Sequence, residues 1–124
     1  MNSDVKLASG NRIVLTVRDS SNPADLHLIL SGQSDVTSAN YHEITPALLT
    51  ERKPDLVVSM AFTAEFDCLD LAMILQASGY AGSYRAIAAG LPVPGMVINE
   101  VATLCPALDF DIIDAAPQSA EYIN

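Results

Sequence analysis

The sequence predicts an α/β domain built on a five-stranded parallel sheet, doubly wound, with helices on both faces. Three observations carry this. Short β-branched runs alternate with helix-length segments along the chain. The strand runs are continuously apolar, which leaves no solvated face and suits strands covered on both sides. The chain has 124 residues, enough for one core and not for two.

The elements follow in order. Arg12 to Val17 (Arg-Ile-Val-Leu-Thr-Val) is the first strand. Asn22 before Pro23 signals a helix entry, a side-chain cap followed by a first-turn residue that needs no N–H. Leu26, Leu28, Ile29 and Leu30 then carry an apolar stripe as far as Gly32. Asp35 to Ser38 is the weakest strand of the set. Thr45 and Pro46 repeat the cap-then-proline signal and open a short helix with Arg52 and Lys53 in its last turn, where the dipole favours cations. An upstream start, with Asn40 and Glu43 as a capping box, would leave Pro46 inside the helix, so the later start is preferred. Pro54 stops it, and Asp55 to Met60 is the second clear strand.

Asp67 to Gln76 reads as a helix, with Leu69, Leu71, Ile74 and Leu75 apolar, Asp67 and Asp70 near its positive end and Gly79 as its stop. Tyr84 to Ala88 is a strand. Pro94 begins a helix through Met96, Val97, Val101 and Leu104 that Pro106 ends, and Leu108 to Ile113 is the last strand. Ile13–Val17, Asp55–Ser59 and Tyr84–Ala88 are expected at or near the centre of the sheet. Residues 1–11 are expected as a flexible N-terminal segment, residues 12–114 as the domain and residues 115–124 as a tail without a full helix. The whole is of flavodoxin-like class.

Charge narrows the partners. Fifteen acidic side chains stand against six basic ones, a formal charge of −9. Nucleic acid and anionic membrane surfaces both select the opposite sign, so neither is an expected partner. The two cysteines, Cys68 and Cys105, have no neighbours at metal-ligand spacing and read as small buried hydrophobes in a reducing compartment. The polar N-terminus has no apolar signal region, and no apolar stretch reaches bilayer length. A cytoplasmic location is the expectation.

In a sheet of this kind chemistry belongs at the carboxyl ends of the strands. Those corners offer Arg18, Asp19, Ser20, Ser59, Met60, Thr63, Glu65, Asp67 and Asp114. Magnesium requires several converging hard oxygens, and Asp19 has Arg18 beside it. No lysine follows Lys53. His27 and His42 are placed away from the corners, so no Ser–His–Asp set assembles. Gly79 to Gly82 is a turn at the other end of the sheet, and Gly90 and Gly95 do not make a phosphate loop. Neither a metal, a cofactor nor an enzymatic activity is expected.

Lys53-Pro-Asp-Leu-Val-Val-Ser-Met60, followed by Phe66-Asp-Cys-Leu-Asp-Leu71, resembles the third strand and third-helix start of response-regulator receiver domains. Ala77-Ser-Gly79 and Tyr84 to Ala89 resemble that family's next helix end and fourth strand. The likeness covers roughly residues 12 to 114 and implies a receiver-like fold, here with the fifth helix absent or short. The family's chemistry does not carry over. Met60 stands at the phosphoacceptor aspartate, Arg18 and Asp19 stand at the metal-holding acidic pair, Ala88 stands at the hydroxyl residue of the fourth strand, and Asp114 stands near the lysine of the last.

The resemblance therefore implies a degenerate, phosphorylation-independent signalling module that acts by protein–protein contact. Its partner would be a kinase, another regulator or its own copy as a homodimer. The surface expected for this is the apolar loop and helix start at Leu91, Val93 and Met96. A homo-oligomerisation module without signalling input and a small flavodoxin-like ligand-binding domain stand as alternatives.

Overall fold

The computed structural model describes residues 13–20, 35–90 and 92–114. They form strands β1 (Val14–Arg18), β2 (Val36–Asn40), β3 (Leu56–Met60), β4 (Ser83–Ala88) and β5 (Asp109–Asp114), with helices α1 (Pro46–Arg52), α2 (Cys68–Ala77) and α3 (Pro94–Leu104). The strands make one sheet in the order β2-β1-β3-β4-β5. Every pairing in it is parallel. This is the flavodoxin-like strand order. The three strands expected at the centre, β1, β3 and β4, are the central ones.

Parallel strands covered on both faces can be apolar at every position, and β3 is the clearest case. Val57 and Val58 point to opposite faces and both are 0% exposed. On one face Leu15, Val17, Val57, Tyr84 and Ala86 pack with Leu49 of α1, Leu71, Ala72 and Leu75 of α2 and Val101 of α3. The three helices therefore share that face. On the other, Val14, Leu56, Val58 and Ile87 form a second cluster, joined by Val36, Met60 and Ile113.

The margins are more polar. In β2 only Ala39 is buried, and Ser38 holds the strand to β1 through a 2.7 Å hydroxyl contact with Thr16. At the opposite margin β5 exposes Asp109, Asp111 and Asp114, charges that discourage another strand from adding on.

Both helix-start signals around residue 45 are used, one after the other. Glu43 Oε1 accepts the Asn40 N–H at 2.7 Å and closes a 3-10 turn over Tyr41–Glu43. Thr45 Oγ1 then accepts the Leu48 N–H at 3.2 Å and caps α1, with Pro46 in its first turn. The α-helix thus begins at the expected later start, and the upstream capping box opens a separate 3-10 turn before it. At α2, the Asp70 carboxylate accepts the Asp67 N–H at 3.1 Å and the Asp67 carboxylate accepts the Asp70 N–H at 2.9 Å, a capping box. Gly79 leaves that helix at φ +77°, a conformation that favours glycine.

The helix expected from Asn22, the segment 1–11, the tail 115–124 with its expected lack of a fifth helix, and Leu91 of the expected surface lie outside the described residues. Among the described residues no helix is long and apolar enough to cross a membrane.

Candidate functional site

Strand order reverses between β1 and β3, the neighbours that flank the switch point of the sheet. A ligand of such a fold sits beyond their carboxyl ends. The residues there are Arg18, Asp19 and Ser20 after β1, and Met60 with the loop 61–67 after β3.

The chain itself bridges this crevice. Asp19, 3% exposed, accepts the Ala64 N–H through its Oδ2 at 2.9 Å. One residue on, Glu65 accepts the Ser20 N–H at 3.1 Å and the Ser20 hydroxyl at 2.6 Å. His42 Nε2 donates to the same carboxylate at 2.9 Å. Three strand ends are thereby tied into one clasp. The two hydrogen bonds from Ser20, with the help of His42, hold the Glu65 carboxyl below its usual range.

The loop that presents Glu65 is folded by Thr63. Its Oγ1 donates to the Phe66 carbonyl at 2.8 Å and accepts the N–H groups of Glu65 and Phe66 at 3.2 and 3.0 Å. Phe66 then stacks on Tyr41, with ring centroids 4.5 Å apart and planes 8° from parallel. This stack packs the 3-10 turn against the loop and brings His42 to the clasp. The expectation that His42 stands away from the corners is therefore wrong. A hydroxyl at Thr63 with main-chain partners two and three residues on is the local signal that announces such a turn.

The five positions set by the resemblance fall as follows. Arg18 ends β1 with its Nε buried and without a hydrogen-bond partner among the described residues. Asp19 is committed to the main chain of the β3 loop. Met60 ends β3 and packs with Val14, Leu56, Val58 and Ile87. Ala88, 4% exposed, lies in the cluster on the opposite face of the sheet from Met60. Asp114 ends β5 beside Ala88 in the register and is exposed. Of the surface residues, Val93 and Met96 are 52% and 69% exposed.

Nucleophiles and metal ligands are not gathered here. Cys68 is buried, and burial, with Asp67 beside it, pushes its thiol up to about 11, which keeps it protonated at neutral pH. Ser59 is spent inside the core, its hydroxyl 2.7 Å from that of Tyr84 and 2.8 Å from the Met60 carbonyl. Among the described residues no three His, Cys, Asp or Glu side chains come together as a metal site.

A cleft of about 400 Å³ does exist, at the wrong end of the sheet for this fold's chemistry. It lies among Leu49, Lys53, Asp55, Ser78, Tyr80 and Gly82, where α1 and α2 end. Two of its polar groups are engaged: the Asp55 carboxylate accepts the Ile13 N–H at 3.0 Å, and the Tyr80 hydroxyl donates to the Ser83 carbonyl at 2.9 Å. A β-carbon at Gly82 would run into the Tyr80 ring and come within 2.8 Å of the Asp55 carbonyl, so glycine serves packing there. The position of the switch point outweighs the size of this cleft as a guide to function.

No protein-family model matches the chain, and no curated protein matches it.

Proposed function

We propose that this chain is a receiver-like module that works without phosphorylation and acts by protein–protein contact, in the cytoplasm and without enzymatic activity of its own. The observation that carries the proposal is the setting of Met60. In the register of the resemblance it holds the phosphoacceptor position, and its thioether packs on Val14, Leu56, Val58 and Ile87. A thioether forms no acyl phosphate. The neighbouring positions agree: Asp19 is bonded to the Ala64 N–H, Ala88 brings no hydroxyl, and Asp114 brings a carboxylate where an ammonium would be needed. The clasp across the switch point also favours contact over ligand capture, since Ser20 and His42 both bind Glu65 there.

The test is an amide spectrum of the isotopically labelled protein with magnesium and either beryllofluoride or acetyl phosphate. The spectrum is expected to stay unchanged. Shifts clustered at residues 17–20 and 59–65 would overturn the proposal.

A further inference from the structure

Three exposed apolar side chains stand on two adjacent helices. Met73 of α2 is 49% exposed, and Met96 and Leu104 of α3 are 69% and 48% exposed. The helices are joined by Gln76, whose amide donates to the Leu104 carbonyl and accepts the Ala107 N–H, each at 3.2 Å. On α3, Met96, Glu100 and Leu104 follow at intervals of four and so form one stripe beside the inward Val97 and Val101. On α2, Asp70, Met73 and Ala77 form an exposed stripe of their own. A single exposed Leu or Met needs no explanation. Two neighbouring stripes, each with an acid among its apolar residues and neither with a base, do.

The charge on this face is one-sided. After Lys53 the sequence has Arg85 as its sole Lys or Arg. Arg85 lies in β4 and is hydrogen-bonded to Asp109 at the β5 margin. Among the described residues no base forms an ion pair with Asp70 or Glu100. A second copy is a poor occupant, because it carries the same formal charge of −9 and would set like stripe against like stripe. Methionines suit a helical partner, since their unbranched, polarisable side chains adapt to varied apolar anchors.

We propose that the α2–α3 face docks a basic amphipathic helix of a partner protein. Its apolar side seats on Met73, Met96 and Leu104, and its Lys or Arg flanks meet Asp70 and Glu100. This deepens the reading of the chain as an interaction module and rests on it.

The probe is a designed helical Leu/Lys peptide titrated into the labelled protein, beside a Leu/Glu peptide of the same pattern and a scrambled Leu/Lys peptide. The Leu/Lys helix is expected to shift residues 69–77 and 96–104, with a dissociation constant on the order of 10–100 μM. The Met96→Ser, Leu104→Ser pair, both exposed and outside the core, is expected to weaken it about tenfold, as is Glu100→Lys. Glu51→Lys makes the same charge change on α1 and is expected to leave the affinity unchanged. The proposal is overturned if no shifts occur, if scrambled or acidic peptides bind as well, or if Glu51→Lys weakens binding as much as Glu100→Lys. It is also overturned if the protein self-associates in sedimentation and the serine pair abolishes that. Peptide failure with an inert beryllofluoride spectrum removes this surface and leaves the phosphorylation-independent reading standing. A beryllofluoride response with peptide binding intact does the reverse.

Discussion

The Asp19 carboxylate and the Ala64 main chain meet at 2.9 Å across the point where strand order reverses. A buried acid that serves the fold in this way is a structural hydrogen-bond acceptor. Asp19→Ala removes the acceptor and leaves the Ala64 N–H without that partner, at an expected cost of about 1–3 kcal/mol. Asp19→Asn keeps an oxygen for the bond and is expected to cost less. Urea denaturation of both variants measures the order. Equal stability of Asp19→Ala and the parent would show that the bond contributes nothing.

Inside the helix-covered face, the Ser59 and Tyr84 hydroxyls share a hydrogen bond between two residues that are 0% exposed. Tyr84→Phe deletes one partner and is expected to cost about 1 kcal/mol. The Tyr84→Phe, Ser59→Ala double variant is expected to lose less than the sum of the two singles, because the same bond is counted in both. Burial holds the Tyr84 phenol above its ordinary value of 10.0 despite the Ser59 hydrogen bond. The neutral phenol's contribution to stability is therefore complete below pH 10 and falls as the pH rises beyond it. Alkaline unfolding of Tyr84→Phe is expected to begin at a higher pH relative to its own neutral stability. Identical alkaline profiles would remove Tyr84 as the cause.

Most of the sheet was legible because buried parallel strands announce themselves. Val14, Leu15 and Val17, or Leu56, Val57 and Val58, allow no other comfortable surroundings. β2 was harder, since Val36–Asn40 contains two hydroxyl residues and an asparagine, and its place at the sheet margin demands little apolar surface. The start of α1 was legible from Thr45 and Pro46. The upstream capping box is excluded as the start of that helix because Pro46 would fall inside it, and it opens a 3-10 turn that ends before the proline. The clasp was legible only in part: Ser20 and Glu65 were expected at the strand-end corners, but their bond and the arrival of His42 were not. Ser20, His42 and Glu65 are brought together by strand ends far apart in the chain, and no local spacing encodes that meeting. The positions of Met60 and Asp19 were legible, but not their surroundings, because alternation shows which way a side chain points and not what it meets there.

The clasp should respond to acid. The hydrogen bonds from Ser20, above all that of its side chain, and then His42 lower the Glu65 carboxyl below its ordinary value of 4.5. A carboxylate lowered in the folded state stabilises it above the unfolded value and loses that contribution as the pH falls through the folded one. The tie is thus intact at neutral pH and released only below about 4.5. A carbon-detected titration is expected to place the Glu65 midpoint below the ordinary glutamate value of 4.5. Ser20→Ala is expected to move the midpoint back up. A midpoint that does not move in Ser20→Ala would mean that Ser20 is not its cause.

Met60→Asp tests whether one substitution supplies the phosphoryl chemistry that the proposed receiver resemblance implies. The new carboxylate would lie where the thioether now packs on Val14, Leu56, Val58 and Ile87, so stability is expected to fall by about 1–3 kcal/mol. The remaining requirements stay unmet. Asp19 is engaged with the Ala64 N–H, and in the register of the resemblance Arg18 stands at the other acidic position, while Ala88 and Asp114 provide neither the hydroxyl nor the ammonium that would steady a phosphoryl group. Acetyl phosphate with magnesium is therefore expected to leave the intact mass of Met60→Asp unchanged, as in the parent. Denaturation reports the stability cost separately, so a variant that unfolds is recognised before its mass is interpreted. A folded Met60→Asp protein that gained a phosphoryl group would mean that the acceptor alone was missing, and that the site around Arg18 and Asp19 is more complete than its hydrogen bonds imply.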